Sequence, residues 1–144
     1  MKSRLLVLFC IFFMALGCSK DNNTTGPTIK IKTYTDQVHP DGAFNAVLTY
    51  SQNSGSLSGD SLVVLRRRYN QTQVPDDQKR DTFITLLPVT PNATKAEFSA
   101  TLNWDFIQYG INGENDTCDF RFVLIDLNGN HSDTVGTGLV IIYQ

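Results

Sequence analysis

The chain has few of the side chains that build catalytic centres. Its 144 residues include two histidines, His39 and His131, and its glutamates are Glu97 and Glu114. The histidines lie far apart and have no metal-ligand spacing to a cysteine. His131 stands near Asp126 and Asp133 without a serine-centred nucleophile motif, and nothing selects a carboxylate pair from the scattered aspartates. These absences argue against an enzyme and name no catalytic residue, no metal ligand and no cofactor. Cysteine is equally sparse: Cys10, Cys18 and Cys118 leave no pair in the body of the chain, which excludes a disulfide framework. There is no basic excess either. Twelve Lys and Arg stand against fourteen Asp and Glu, so a phosphate backbone finds no cationic surface and nucleic acid is not an expected partner. No apolar run reaches the roughly 20 residues that a bilayer-spanning helix needs.

The longest apolar run is Leu5–Leu16, behind Lys2 and Arg4 and ahead of Ala15-Leu16-Gly17-Cys18. A positive start, an apolar stretch and small residues before a cleavage point are the layout of a secretory signal peptide. Ala15-Leu16-Gly17-Cys18 resembles the lipobox of bacterial lipoproteins, with Leu16 one place later than in its commonest form. That resemblance implies cleavage before Cys18, a diacylglycerol on the Cys18 thiol, and an acyl chain such as palmitate on the new amino terminus. Two or more acyl chains give stable membrane attachment, at about 0.8 kcal/mol per buried methylene. Residues 18–27 (Cys-Ser-Lys-Asp-Asn-Asn-Thr-Thr-Gly-Pro) contain no large apolar side chain and read as a flexible tether. Cys18-Ser19-Lys20-Asp21-Asn22 also resembles the start of lipoproteins of the Bacteroidetes group. There, lysine followed by acidic residues directs export to the outer face of the outer membrane. Here Asp21 alone supplies the acid, so an ordinary polar linker stays open beside the export reading. Removing residues 1–17 takes Lys2 and Arg4 away and leaves 10 basic against 14 acidic residues, a net charge of −4.

From residue 28 to 144 the pattern period is two, the signature of strands in a sandwich or barrel. Seven runs stand out. Ile29–Thr35 places Ile29, Ile31 and Thr33 on one face, and Ala43–Tyr50 places Phe44, Ala46, Leu48 and Tyr50 in register. Ser61–Tyr69 and Thr82–Leu87 follow. A run with Phe98, Ala100, Leu102 and Trp104 on one face is the clearest alternation. Cys118–Leu127 and Thr134–Tyr143 complete the set, the last with Val135, Thr137, Leu139, Ile141 and Tyr143 aligned. His39-Pro40-Asp41-Gly42 is a turn signal. Asn128-Gly129 predicts a type I′ hairpin turn with positive φ at both residues. Trp104–Tyr109 reads as one helical turn, with Asn103 as N-cap and Gly110 closing it.

Seven strands over this length predict an all-β, immunoglobulin-like antiparallel sandwich. The stretch Phe120 to Ser132, with Asp126-Leu127-Asn128-Gly129-Asn130-His131-Ser132 at its end, resembles the Asp-x-x-Gly-Asn-x-Ser run of bacterial immunoglobulin-like and fibronectin type III-like modules. The resemblance covers Phe120 to Tyr143. The inter-sheet disulfide and the tyrosine corner of that superfamily are absent, so another β-sandwich stays open. Cys118 alternates with Phe120, Phe122 and Leu124, which predicts a small buried residue.

Four clusters are candidate sites. Trp104 and Tyr109, with Phe106 between them, would form the aromatic platform of a glycan-binding site; the alternation of Trp104 with Leu102 and Phe98 favours the core instead. Arg66 and Arg68 share one face and could form a patch for phosphate or a sulfated glycan; the triplet reads rather as a solvated strand edge, with arginine stems covering apolar surface. Asp126, Asn128, Asn130 and Asp133 offer oxygens to calcium, but the spacing departs from an EF-hand and the hairpin turn accounts for Asn128-Gly129. Asp60-Ser61-Leu62 and Asp133-Thr134-Val135 resemble the Asp-Ser/Thr-aliphatic signal for O-glycosylation in Bacteroidetes-type cells, with Ser61 and Thr134 as acceptors. The expectation is a non-enzymatic lipoprotein on the outer membrane, held through Cys18 and contacting envelope or surface proteins. The alternative is a glycan-binding surface lipoprotein that assists polysaccharide capture.

Overall fold

The computed structural model describes residues 26–52, 59–70, 72–87, 94–110 and 113–144. The expected signal segment 1–17, Cys18 and the tether up to residue 25 lie outside the described residues. Among the described residues no helix is long and apolar enough to cross a membrane.

Among the described residues, nine strands form two sheets. In chain order they are β1 (Thr28–Tyr34), β2 (Gln37–Val38), β3 (Ala43–Ser51), β4 (Ser61–Arg68), β5 (Thr82–Leu86), β6 (Lys95–Asn103), β7 (Asp116–Ile125), β8 (Val135–Gly136) and β9 (Val140–Ile142). One sheet has the order β1-β3-β6; the other runs β2-β9-β7-β4-β5, with β8 also on β7. All pairings are antiparallel except β2 on β9. Two packed sheets in this order form the expected sandwich of immunoglobulin type.

Alternation builds the core. β3 turns Phe44, Ala46, Leu48 and Tyr50 inward, and β7 answers with Cys118, Phe120, Phe122 and Leu124. The Phe44 and Phe120 rings meet at 4.2 Å between centroids, in a tilted contact. Each fully buried large apolar side chain contributes about 1.5–3 kcal/mol. Cys118 is fully buried, and burial pushes its thiol up to about 12.

Three local expectations need correction. Thr33 is exposed because a bulge between Ile31 and Thr33 breaks the phase of β1. The last run is two strands rather than one. Between them the Thr137 amide donates to the Phe120 carbonyl while its hydroxyl accepts from the Phe120 amide. This irregularity shifts the phase, so Val140 and Ile142 are buried while Leu139 points outward. The hairpin turn is not type I′: Gly129 has φ +79° but Asn128 does not share a positive φ. Asp126 builds the turn instead. Its Oδ1 accepts from the Asn128 and Asn130 amides at 2.9 and 2.8 Å, and its carbonyl accepts from the Gly129 amide at 3.0 Å. A three-residue loop closed by a left-handed glycine is the next commonest hairpin connection.

The strand ends sort into two poles. Thr28, Ser51 and Lys95 end one sheet and Ser61, Leu86 and Ile125 the other, as their pairings require, and the bond from the Tyr50 hydroxyl to Asp60 brings both sets to one pole. Gly26, where the described chain begins, lies at that pole too: a Cβ on it would stand 2.9 Å from the His131 carbonyl oxygen. The other pole carries the ends of β4 and β6, the start of β7 and a single helical turn, α1 (Trp104–Ile107).

Candidate functional site

The pole opposite Gly26 is organised by Arg66 and Arg68. The inward row of β4 begins Leu62, Val64 and continues with Arg66, so the sheet's own alternation carries charge into the end of the core. This overturns the solvated-edge expectation for the arginine triplet. β4 lies between β5 and β7, the Arg66 side chain is fully buried, and the Arg68 side chain nearly so. Only Arg67 faces solvent.

A buried guanidinium needs partners for its donors. Arg66 Nη1 donates to the Ile107 carbonyl at 2.7 Å, Nη2 to the carbonyls of Arg80 at 3.0 Å and Tyr109 at 3.3 Å, and Nε to Asp81 at 3.3 Å. Arg68 donates to the same Asp81 oxygen at 2.8 Å, to Asp116 at 3.3 Å and to the Tyr109 carbonyl at 2.6 Å. Burial, then the charge of Arg68, pull Arg66 below the usual arginine range. Burial raises Asp116, against the pull of Arg68 and Arg66. The pair therefore bonds the carbonyls at the end of α1, where the helix has no internal donors left. The expected cap at its start is missing: Asn103 precedes the helix in extended conformation but makes no side-chain cap. The guanidiniums hold this turn from its far end.

Around this polar plug stand two stacked pairs. The Arg80 guanidinium lies 3.9 Å from the centroid of the Tyr109 ring, and Arg67 lies 4.9 Å from that of Tyr69. Tyr109 is 37% exposed and Tyr69 44%. Asp119 ties the second pair down, accepting from the Tyr69 hydroxyl at 2.6 Å and from Arg67 Nε at 2.9 Å. Burial opposes ionisation of Asp119, but these hydrogen bonds outweigh it and hold the carboxyl below the usual range. The same bond raises the Tyr69 hydroxyl. A cavity of about 370 Å³ opens beside the plug, lined by Arg68, Asn70, Gln73, Lys79 and Asp81 among others.

The candidates from sequence fall into different places. Tyr109 is at this pole and exposed, with one ring face covered by Arg80. Trp104 is half-buried and packs against the core, and Phe106 meets Phe83 edge-on at 5.7 Å. The two do not form an open row. Ser61 is half-buried between Leu86 and Ile125, next to a buried Asp60; Thr134 is exposed. Cys18 lies outside the described residues. The carboxylate of Asp126 is engaged by Asn128 and Asn130 of its own turn. Among the described residues no three His, Cys, Asp or Glu side chains come together as metal ligands. Tyr69, Arg80 and Asp119 were not singled out by sequence. The phase of β4 was the available signal, because Leu62 and Val64 already place Arg66 on the inner face.

No family model matches the chain, and no curated protein matches it. Among solved structures it is similar to a cohesin module from a family 33 glycoside hydrolase of Clostridium perfringens. Identity is 14%, over 83% of this chain and 98% of that one, with a TM-score of 0.41. It is similar to a β-glucosidase from Listeria innocua, solved with gluconolactone, at 8% identity and a TM-score of 0.44; the match covers 83% of this chain but 16% of that one. The sporulation control protein Spo0M of Bacillus subtilis matches at 12% identity and a TM-score of 0.42, over 82% of this chain and 49% of that one. At these scores neither the activities nor the partners of those proteins transfer to this chain.

Proposed function

We propose that this chain is a non-enzymatic lipoprotein of the outer membrane, anchored through Cys18, whose sandwich contacts an envelope or surface protein through the pole opposite its tether. One observation carries the reading: two exposed tyrosine–arginine stacks, Tyr109 with Arg80 and Tyr69 with Arg67, stand around a rigid plug at that pole. Tyrosine and arginine dominate protein-contact hot spots, because they offer large area with little conformational freedom to lose. Here the stacks hold the side chains before any partner arrives. The glycan alternative is less well supported, since Trp104 packs against the core and Arg80 covers one face of Tyr109.

The anchor is tested by palmitate incorporation in cells, expected for the natural chain and lost in Cys18→Ser. The contact is tested by affinity for the partner captured by crosslinking. Tyr109→Ala or Arg80→Glu is expected to weaken it about 30-fold, the equivalent of about 2 kcal/mol at a hot spot. Unchanged affinity in both variants refutes this contact surface.

A further inference from the structure

The most exposed large apolar side chains among the described residues are Leu127, at 72%, and Leu86, at 69%. Both lie at the pole from which the tether leaves. Leu86 pairs with Ser61, which pairs on its other side with Ile125, and Leu127 follows two residues later. Leu127 rests over Gly59, where a Cβ would stand 2.9 Å from its Cδ2 and where φ is +93°; only glycine leaves this seat open. Below the leucines the backbone is pinned. The Leu87 amide donates to the Asp60 carbonyl at 2.8 Å, and the buried Asp60 carboxyl accepts from the Tyr50 hydroxyl at 3.2 Å. The leucines are therefore held out from a rigid base.

Gly26 stands beside this ridge. It lies against His131 and Asn130, and His131 bridges to Ile125 across the hairpin. Eight residue steps separate Gly26 from Cys18. A polar tether of that length, as the sequence predicts for residues 18–27, would span about 15 Å on average. That is less than the width of a domain this size, whose radius of gyration alone is about 13 Å. The proposed lipid on Cys18 would therefore bring the tether pole nearest the bilayer. Lys95 at the same pole supplies a cation for headgroup phosphates.

We infer that Leu86 and Leu127 insert into the lipid surface that carries the anchor, so that the sandwich stands on its tether pole with Tyr69 and Tyr109 facing away. The inference rests on the proposed lipidation of Cys18. Lipid is the occupant the geometry favours, because the short tether imposes its proximity and two isolated leucines need no shaped groove.

The test uses the full lipidated chain in vesicles of phosphatidylethanolamine and phosphatidylglycerol that contain a spin-labelled quencher lipid. A fluorophore is placed on Asn128→Cys, beside Leu127, or on Asp105→Cys at the far pole. The buried Cys118 does not compete for label. The expected result is quenching at least about threefold stronger at position 128 than at 105. Adding Leu86→Asp and Leu127→Asp should bring position 128 down to the level of 105, with unchanged circular dichroism and continued flotation with the vesicles. Equal quenching at both positions, in a chain that still floats, overturns the docking and leaves the anchor standing; the leucines are then free for a protein partner. A chain that neither floats nor carries lipid on Cys18 overturns the anchor reading, and this inference with it.

Discussion

Arg66 Nη1 donates to the carbonyl oxygen of Ile107 at 2.7 Å, across 41 positions of the chain. This bond joins β4 in one sheet to the helical turn that leaves the other. It makes the polar plug a structural joint between the two layers.

Breaking that joint should be costly. Arg66→Ala takes the side-chain donor from the carbonyls of Ile107 and Arg80, while Asp81 and the Tyr109 carbonyl keep Arg68. The expected loss is about 2–4 kcal/mol, from the orphaned carbonyl of Ile107 and the lost packing of a fully buried side chain. Arg67→Ala, in the exposed neighbour, should cost far less, because solvent screens its charge. Urea unfolding of both variants measures the difference, and equal small losses would show that the plug is not a joint.

The thiol of Cys118 should be silent in the folded chain. It is fully buried and its pKa is pushed up to about 12, so almost no thiolate exists at pH 8. Maleimide at that pH should add nothing to the folded, lipidated protein and one adduct after denaturation, as read by intact mass. Rapid labelling without denaturant would contradict the burial of the β7 row.

Acid should first strengthen the fold and then weaken it. Burial raises Asp60 and Asp116 above the ordinary value of 3.8, so the ionised form of each costs the folded state. That cost is relieved as the pH falls through their folded values. Asp119 and Asp126 behave oppositely. Burial works against ionised Asp119, but bonds from Tyr69 and Arg67 outweigh it, while the Asn130 side chain leads the bonds that lower Asp126. Their stabilisation is present above the unfolded value and disappears as the pH falls through their depressed folded values. Urea midpoints from pH 7 to 3 should therefore pass through a maximum on the mildly acidic side. Asp60→Asn should reduce the rise, and a monotonic fall from pH 7 would contradict this assignment.

O-glycosylation, if the cell applies it to a folded chain, should mark Thr134 and spare Ser61. Thr134 is exposed beside an exposed Asp133, whereas Ser61 sits between two paired strands with a buried Asp60 before it. Peptide mass spectrometry separates the two sites. Occupancy of Ser61 alone would require modification before folding.

Much of this architecture was legible in the alternation. Phe44, Ala46, Leu48 and Tyr50, and equally Cys118, Phe120, Phe122 and Leu124, fall inward as their spacing dictates, because a strand between two layers has one dry face. The sequence pattern failed where local backbone departs from period two. The bulge in β1 exposes Thr33, and the Thr137 irregularity moves burial to Val140 and Ile142. β2 was missed because a two-residue strand carries no periodicity, and it exists only through its parallel pairing with β9. At the candidate site, the arginine triplet looks like a surface feature in the sequence, although the phase of β4 places Arg66 inside. The stacks of Tyr109 on Arg80 and Tyr69 on Arg67 depend on loop geometry, which no spacing rule encodes.

The most direct test of the account is photo-crosslinking in living cells, with a photoreactive residue at Tyr109 or Tyr69 and a control at Ser99, which is exposed on the outer face of β6. The account predicts discrete protein adducts from Tyr109 and Tyr69, with none from Ser99. Adducts from Ser99 with none from either tyrosine would contradict it.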